Sequence, residues 1–333
     1  MKTISTKLLK KKFNNKFLIN KKSAFSLVEI SIVVLILGLL IAGISKASDM
    51  ILDSQLKSAR ALTNGAKVGR ISSLILWLET TKLESLKDSE RFDSNDITEW
   101  KDITPPAIPK VIFKDKGSTS TTTYKESGFN NVPAIKFGAA TDLLYSYDPK
   151  ASESSSTASS NANIYTSQSK LSFLNDEITA FVVALPSNGF QIFSFCPITI
   201  GASPGFAITE GCDAATYKLI RASFASTNIK FDYSNVTHTV TSTATVPVVL
   251  SLVKNSTNLY VKINGGASSS PTAPSAVNLA LASYNGSFRV GGGAAGEMYE
   301  LIIFNSALSD SDRQKVEAYL GTKYKIKVTA TTL

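Results

Sequence analysis

Histidine and cysteine are scarce in this chain: its 333 residues include one histidine, His238, and two cysteines, Cys196 and Cys212. A zinc site needs more of these ligands at closer spacing, and no CxxC, HExxH or P-loop motif occurs. Any Ser-His-Asp triad would have to use His238, and no nucleophile elbow accompanies it. These absences disfavour zinc-dependent, nucleotide-hydrolysing and serine-hydrolase chemistry.

The two cysteines lie sixteen positions apart in a polar, glycine-containing region. Outside the cytoplasm they could form a disulfide, which would stabilise the fold by roughly 3 kcal/mol through loop entropy. Two unpaired thiols are the alternative, and the sequence leaves both open.

Acidic residues are absent from the first 24 positions, which contain eight lysines. The formal net charge of the whole chain is +9, so 9 − 8 leaves +1 for everything after Ala24. The basic character therefore belongs to a short leader, and a nucleic-acid role through a basic domain loses its main support.

Charge is also nearly absent from residues 25–45, where Glu29 is the only charged side chain. Twenty-one helical residues span about 30 Å, the thickness of one hydrocarbon core. A membrane anchor would contain such an apolar segment, and so would a signal peptide cleaved after Ser45-Lys46-Ala47. Neither needs an acid near its start, where it costs a few kcal/mol in the bilayer. A partner cation would explain Glu29.

The stretch KKSAFSLVEISIVVLILGLLIAG resembles the prepilin N-terminal cleavage and methylation segment. In that family a basic leader ends in a small residue, a Phe follows, and a Glu is the fifth mature residue. Here these positions are Lys21-Lys22, Ala24, Phe25 and Glu29, with Ala24 standing where the family usually has Gly. The resemblance implies that a prepilin peptidase removes residues 1–24 and methylates the Phe25 amine. Glu29 would then pair with the Phe25 amine of a neighbouring subunit.

A stalk helix is expected to continue beyond the membrane-length run, so that it covers residues 25–65. Leu52, Leu56, Ala59 and Leu62 recur at helical spacing, and Asn64-Gly65 is a natural stop. The helix is predicted to be apolar all round in its first half and amphipathic in its second half.

Beyond residue 71 the helical period gives way to short β-type runs separated by Gly, Asn and Ser. No helical segments alternate with them, so we expect an antiparallel sandwich or barrel rather than a parallel α/β sheet. Residues 248–265 are predicted to form a hairpin. The predicted strands are 74–79, 133–138, 178–185, 191–195, 228–233, 248–253, 259–265 and 300–304.

Residues 71–327 resemble the LamG-like members of the concanavalin A-like lectin/glucanase superfamily. The resemblance rests on LILWLETTKLESL with ITEWKDITP, on YKESGFNNVPAIKFGAATDLLYSY and on GEMYELIIFNSALSDSDRQKVEAYLGTKYKI. It implies a two-sheet jelly roll with a C-terminal helix. Ser309 can cap that helix, Val316 and Leu320 form its apolar stripe, and Gly321 is expected to end it.

A catalytic acid pair is not evident in the predicted domain. Glycoside hydrolysis needs two carboxylates at a fixed separation. Glu297 and Glu300 are three residues apart, so on a regular strand they would point to opposite faces, as edge or solvent charges. Trp77 and Trp100 are interpreted as core residues rather than as sugar-stacking platforms.

A ligand or calcium loop is the remaining candidate site of the head. Lectin-type domains bind sugars through Asp and Asn loops, often beside calcium. Asp142, with Asn130 and Asn131 upstream, could belong to such a loop, or Asp142 could simply cap a strand turn.

The two resemblances together imply a type IV pilin-like or pseudopilin-like subunit with an outward-facing, lectin-like head for binding or adhesion. Its expected partners are a prepilin peptidase, other pilin subunits, the membrane and a glycan or surface ligand. The expected location is the bacterial inner membrane with an extracytoplasmic head, from which the subunit could enter a surface or periplasmic filament. On this interpretation the protein is not an enzyme, and calcium is the one candidate cofactor.

Two alternatives from other classes remain open. One is a membrane-anchored carbohydrate-binding protein that never assembles, and the other is a diverged glycoside hydrolase. Incorporation into filaments separates the first alternative from a pilin, and turnover of glycans would identify the second.

Overall fold

The computed structural model describes most of the chain after the leader, in eight ranges. They are 26–106, 110–115, 122–147, 177–197, 220–233, 236–242, 244–266 and 286–333. Ala24, Phe25 and Cys212 lie outside these ranges, as does the side chain of Cys196. Processing after Ala24 and the Cys196–Cys212 disulfide therefore stay predictions. The chain divides into two units, Met1–Met50 and Ile51–Leu333.

Helix α1 (Leu27–Gly65) contains 39 residues and covers the predicted membrane and stalk segment. Its first part, Leu27–Ile44, is long and apolar enough to cross a membrane, with a mean hydropathy of 2.8. None of that stretch is buried within the chain. A signal sequence has the same properties, so this observation alone does not separate an anchor from a cleaved segment.

The described strands of the second unit form two antiparallel sheets, which confirms the predicted sandwich. The seven-stranded sheet has the order β13-β12-β7-β15-β5-β4, and β1 also pairs with β15. Its strands are β1 (Leu74–Glu79), β4 (Thr123–Lys125), β5 (Ala134–Phe137), β7 (Ile178–Leu185), β12 (Val248–Lys254), β13 (Leu259–Ile263) and β15 (Gly296–Phe304). The predicted hairpin is present as β12 and β13.

The eight-stranded sheet has the order β11-β10-β9-β8-β14-β6-β3-β2. Its strands are β2 (Glu99–Lys101), β3 (Ile112–Asp115), β6 (Leu143–Tyr147), β8 (Gln191–Pro197), β9 (Ile220–Ala225), β10 (Asn228–Tyr233), β11 (Val236–Thr241) and β14 (Gly286–Gly291). The main core lies between the two sheets and receives alternate residues from both.

A second apolar layer covers the outer face of the seven-stranded sheet. Ala59 at the end of α1 joins Trp77, Val316, Leu320 and other side chains in this layer. The sheet is therefore sandwiched between two apolar layers, and β7 and β12 are buried along almost their whole length. Burial on both faces explains why their sequences are continuous apolar runs rather than alternating ones.

Helix α2 (Asp310–Tyr324) contributes Val316, Leu320 and Tyr324 to the second layer. Its predicted N-terminal cap is confirmed, because the Ser309 side chain accepts a hydrogen bond from the Asp312 N–H at 3.2 Å. The predicted end at Gly321 is wrong, since the helix continues to Tyr324 and Lys325 adopts the left-handed conformation. Gly321 instead permits close packing: a Cβ there would lie 2.7 Å from Val328 Cγ2.

Candidate functional site

The N-terminus of α1 has a reciprocal cap that involves Glu29. The Ser26 N–H donates to Glu29 Oε2 at 2.7 Å, and the Val28 N–H donates to the Ser26 hydroxyl oxygen at 3.3 Å. Residues 26–29, Ser-Leu-Val-Glu, form a capping box. This motif was not among the sequence-based explanations of Glu29. Glu29 therefore has a role within its own chain, whatever else it contacts.

The sandwich places Glu297 and Glu300 on the same face of β15, which contradicts the prediction of opposite faces. Between Met298 and Glu300 the register against β7 shifts, so that two steps on β15 match one step on β7. Such a β-bulge reverses the parity of every residue beyond it. Glu300 is fully buried rather than a solvent charge, and Glu297 forms an ion pair with Lys125 at 2.7 Å.

A buried lysine lies between two carboxylates that face each other on neighbouring strands. Glu79 of β1 is the direct register partner of Glu300 of β15. Lys323 of α2 donates to Glu79 Oε2 and to Glu300 Oε2, each at 2.8 Å. All three side chains have no exposed surface. Like charges directly opposite each other destabilise a sheet. The Lys323 ammonium group offsets this repulsion because it pairs with both carboxylates.

Glu79 and Glu300 are also saturated with hydrogen bonds from other groups. Glu79 accepts from the Thr81 N–H and hydroxyl and from the Lys82 N–H. Glu300 accepts from Trp77 Nε1 at 2.7 Å and from two tyrosine hydroxyls, Tyr319 and Tyr324, each at 2.9 Å. We call this set the Lys323 cluster: Trp77, Glu79, Glu300, Tyr319, Lys323 and Tyr324.

The Lys323 cluster reaches the C-terminal end of helix α1. The Thr63 and Tyr319 hydroxyls are 3.1 Å apart, and Thr63 is itself buried. Arg60, one turn earlier, donates from Nε to the Thr81 carbonyl at 2.6 Å. Polar contacts thus join the last turns of α1 to Tyr319 of α2 and to Thr81, which follows β1, in addition to the apolar contact of Ala59. The last turns of α1 therefore pack against the head and form hydrogen bonds with it.

Electrostatic interactions within the Lys323 cluster favour the charged forms of Glu79 and Lys323. Burial raises the pKa of Glu79, but Lys323 and the hydrogen bonds from Thr81 outweigh that effect and leave the pKa below its usual value. Burial alone would lower the pKa of Lys323. The attraction of the Glu300 and Glu79 carboxylates is stronger than this effect of burial, so the pKa of Lys323 is raised. Burial and then Glu300 hold the pKa values of Tyr319 and Tyr324 well above the usual one. The cluster is an ion pair network with neutral tyrosines.

The facing carboxylates of Glu79 and Glu300 are placed for structure rather than for attack on a substrate. Both are closed to solvent, and both already accept several hydrogen bonds. A general acid or nucleophile must reach the substrate. Neither carboxylate can do so unless the hydrogen bonds and ion pairs of the Lys323 cluster are broken. The prediction that the protein is not an enzyme stays a prediction.

The three residues of the predicted ligand loop occupy two separate places, at opposite ends of β5. Asn130 and Asn131 precede the strand in left-handed conformations, which Asn tolerates well. Asn130 Nδ2 donates to the Tyr324 carbonyl at 2.8 Å, and Asn131 Oδ1 accepts from the Ser127 hydroxyl at 3.0 Å. Asp142 follows the strand and accepts from the Gly138 and Ala139 N–H groups at 2.7 and 2.9 Å.

These contacts assign structural roles to the three residues: Asn131 and Asp142 accept local hydrogen bonds in turns, and Asn130 bonds the last residue of α2. No cluster of three His, Cys, Asp or Glu side chains suited to a metal occurs among the described residues. Calcium binding stays a prediction.

The two tryptophans and the histidine are buried residues of the sandwich. Trp100 has no exposed surface and donates from Nε1 to the Glu79 carbonyl at 2.9 Å, and Trp77 is also buried. Their predicted core positions are confirmed. His238 lies on the core side of β11 opposite Phe231, and burial lowers its pKa. Its position suits a neutral core imidazole.

Comparison with known proteins yields no family: no family model matches this chain, and no curated protein matches it. Among solved structures, the chain is similar to the receptor-binding domain of botulinum neurotoxin C/D mosaic serotype. The identity is 11% and the TM-score 0.43, over 74% of this chain and 51% of that one.

Two further solved structures show a likeness of the same order. A Trypanosoma rangeli sialidase in complex with sialic acid has 11% identity and a TM-score of 0.42, over 78% of this chain and 34% of that one. The binding domain of botulinum neurotoxin DC in complex with SialylT has 10% identity and a TM-score of 0.42, over 74% and 51%. The chain thus spans about half of the toxin domains and about a third of the sialidase.

Proposed function

We propose that this protein is a membrane-inserted, type IV pilin-like or pseudopilin-like subunit that presents a β-sandwich binding head. The observation that supports it most is the design of α1. One part is apolar with every side chain exposed, and the last turns are fixed to the head by Ala59, Arg60 and Thr63. Cleavage after Ala47 would leave these last turns in the mature chain, so the connection alone fits a cleaved signal as well. The further support for the proposal is that α1 is one uninterrupted helix from Leu27 to Gly65, as a subunit held in the membrane by its N-terminal helix requires.

In this proposal the leader is removed between Ala24 and Phe25, and Phe25–Ser45 holds the subunit in the inner membrane. Assembly then moves that apolar segment from lipid into a filament core, where its exposed side chains find partners in other subunits. The head lies outside the cytoplasm and makes contacts rather than catalysing a reaction. A prepilin peptidase and other subunits are the required partners.

A second candidate is a membrane-anchored carbohydrate-binding protein that does not assemble. The capping box favours it, because Glu29 already bonds the Ser26 N–H of its own chain and needs no neighbouring subunit to explain it. The two candidates agree on the anchor and the head. They differ on processing and on whether the charge of Glu29 is needed.

The first test is the mass of the N-terminal peptide of native protein purified from membranes. A methylated chain that begins at Phe25 is the expected result. A chain that begins at Met1 would contradict the pilin proposal and leave the anchored carbohydrate-binding protein. A chain that begins at Ser48 would contradict both, because the anchor would be gone.

The second test separates the two roles of Glu29 with a pair of variants. Glu29→Gln keeps an acceptor for the Ser26 N–H but removes the charge, whereas Glu29→Ala removes both. If Glu29 pairs with a neighbouring amine, both variants should be processed and inserted, and both should fail to enter filaments. Normal incorporation of Glu29→Gln, with a defect only in Glu29→Ala, would show that the cap alone matters.

A further inference from the structure

Strand β11 stands at one end of the eight-stranded sheet, and among the described strands none pairs with its outer side. Its inner side pairs with β10 over the whole length of the strand, and the Ser242 N–H extends this ladder by donating to the Thr227 carbonyl at 2.6 Å. Residues that bond the neighbouring strand alternate along an antiparallel strand, so residues 236, 238 and 240 bond β10 as Ser242 does. The N–H and C=O groups of the three residues between and after them therefore point away from the sheet: Thr237, Thr239 and Thr241.

The side chains of β11 also differ between its two faces. Thr237, Thr239 and Thr241 are exposed, whereas His238 is buried on the core side. Val236 and Val240 pack against the main core but are only half-buried. The outer edge of β11 thus combines outward-pointing backbone groups with exposed hydroxyls on one face and partly open valines on the other.

The composition of β11 sets it apart from the other strands that end the two sheets, which are β2, β4 and β13. Strands β2 and β4 contain partly exposed lysines, Lys101 and Lys125. Strand β13 contains Lys262, which donates to backbone carbonyls of the C-terminal segment. Lysine and proline on edge strands prevent pairing with other chains, and β11, VTHTVT, contains neither of them and no acidic residue. Its sequence does not oppose the addition of another strand.

The sequence of β11 is also self-complementary. Residues 236–240, Val-Thr-His-Thr-Val, are the same in both directions. If two copies pair antiparallel about a two-fold axis at His238, each valine lies opposite a valine and each threonine lies opposite a threonine. A two-fold contact requires this match, because residue i of one copy meets residue j of the other and residue j meets residue i.

The same register satisfies the backbone. Thr237 of one copy lies opposite Thr239 of the other, and both direct their N–H and C=O groups outward, so each such pair can exchange both N–H···O=C bonds. The Thr237 hydroxyl donates to Asp232 Oδ1 at 2.6 Å within its own chain. Its oxygen can still accept from the Thr239 hydroxyl of the second copy, a pairing that stabilises neighbouring strands.

We propose that β11 is a self-pairing edge, through which the heads of two copies join their eight-stranded sheets into one continuous antiparallel sheet with a two-fold axis at His238. The palindrome commits the edge to a second copy, since an unrelated peptide would gain nothing from it. A two-fold contact closes on itself, so it joins two heads and does not extend a filament. The inference goes beyond the proposed function and applies to both of its candidates.

Self-pairing is expected where copies are held close together. One added strand pair is small beside a stable soluble interface, which buries about 1,200–2,000 Å². Anchoring in one membrane raises the effective concentration of a head near its neighbours. This step rests on the proposed membrane anchor, and the contact should be weak between copies diluted in detergent.

The test uses two cysteine variants of the full-length chain, Thr237→Cys and Thr239→Cys, with different tags. They are co-expressed and oxidised in intact cells. In the proposed register a cysteine at 237 faces a cysteine at 239 of the other copy, with Cα atoms about 5.5 Å apart, which a disulfide can span. Two copies of one variant place their cysteines on a diagonal, about 8 Å apart, which a disulfide cannot span. We expect at least about tenfold more cross-linked dimer from co-expression than from either variant alone.

Two controls measure cross-linking that does not depend on β11. The wild-type chain gives the background from Cys196 and Cys212. Thr227→Cys co-expressed with Ser256→Cys is the matched pair, because both residues are exposed and lie in turns away from the outer edge of β11. This pair should give no more mixed dimer than its single variants. Equal yields from it and from the β11 pair would overturn the proposal, because the dimers would then come from random encounters.

The single variants test the register itself. Absence of a mixed dimer, with both tagged chains present on a reducing gel, would overturn self-pairing. Abundant dimer from Thr237→Cys or from Thr239→Cys alone would also overturn it, since a parallel or differently centred pairing would then bring identical positions together.

Hydrogen exchange of the wild-type chain in membrane vesicles provides a second measurement that needs no variant. Exchange of the Thr237 and Thr239 amides should slow at least several-fold as the amount of protein per vesicle is raised, because both become bonded between copies. The outward-pointing amides would keep a constant rate if β11 did not pair, and that result would overturn the proposal.

Failure of self-pairing and failure of the proposed function are distinguishable on the same protein. A methylated N-terminal Phe25 without mixed dimers would leave the pilin proposal and refute the self-pairing edge. Mixed dimers of a chain that begins at Met1 would leave the self-pairing edge and refute the pilin proposal.

Discussion

The outer faces of the two sheets use charged residues in opposite ways. On the seven-stranded sheet, Glu79, Glu300 and Lys323 have no exposed surface, and helix α2 covers them. On the eight-stranded sheet, the outward-facing Arg221 and Lys114 keep part of their side chains exposed and pair with Asp232 and Glu99. Buried charges with every partner supplied by the protein serve to fix geometry, whereas ion pairs that keep contact with water contribute less to stability. The buried face anchors the last turns of helix α1 to the head.

Removal of the central cation of the buried face should have the largest effect. Lys323→Met would leave Glu79 and Glu300 facing each other, buried and without a counter-charge. Breaking a buried pair in this way costs roughly 3–5 kcal/mol in the free energy of unfolding. Urea unfolding of the full-length chain in detergent, followed by tryptophan fluorescence, measures the change.

Two companion variants show whether that loss comes from uncompensated charge. Lys136→Met on an exposed position of the same sheet should change stability by less than about 0.5 kcal/mol. The triple variant Glu79→Gln, Glu300→Gln, Lys323→Met should recover part of the loss, since it removes the buried charges together. A triple variant that is less stable than Lys323→Met would contradict the charge argument.

An intermediate effect is expected at alkaline pH. The pKa values of Tyr319 and Tyr324 lie well above 10.0 in the folded chain, because burial and Glu300 oppose ionisation. In the unfolded chain both lose their protons near 10, so the folded state binds more protons and stability falls as pH rises past 10. The raised pKa of Lys323 acts in the same direction, since its contribution is lost as pH rises through the folded value.

Between pH 9 and 11 the free energy of unfolding of the wild-type chain should therefore fall, by up to about 1.4 kcal/mol per pH unit for each tyrosine. The double variant Tyr319→Phe, Tyr324→Phe should be less stable at pH 8 but show a flatter slope. An equal slope in the two proteins would mean that these hydroxyls do not differ between the folded and unfolded states.

The contrast between the two faces also explains which strands the sequence revealed. Strands β1 and β7 begin and end where they were predicted, because burial on both faces makes each a continuous apolar run. Strand β11, VTHTVT, alternates exposed threonines with Val236, His238 and Val240, of which only His238 is fully buried. It was not predicted, and neither was β14, GSFRVG. Their outward residues are polar and resemble loops, so half of each strand gave no signal of burial.

The candidate sites were harder to predict than the fold because they depend on register. Glu300 was assigned to solvent from strict alternation, and the bulge after Met298 moved it under α2. The pairing of Glu79 with Glu300 joins residues 221 positions apart, so no local pattern could reveal it. The capping box of Ser26 and Glu29 is the opposite case: it was not predicted, although a Ser three residues before a Glu is a local signal that could have revealed it.

The smallest expected change in stability is at Lys114, on the outer face of the eight-stranded sheet. Lys114 lies near Glu99, but Lys87 and Lys101 are also close to that carboxylate, and a partly exposed ion pair contributes little. Lys114→Gln should therefore shift the free energy of unfolding by less than about 0.5 kcal/mol. Loss of stability comparable to that of Lys323→Met would place Lys114 among the structural charges and remove the distinction between the two faces.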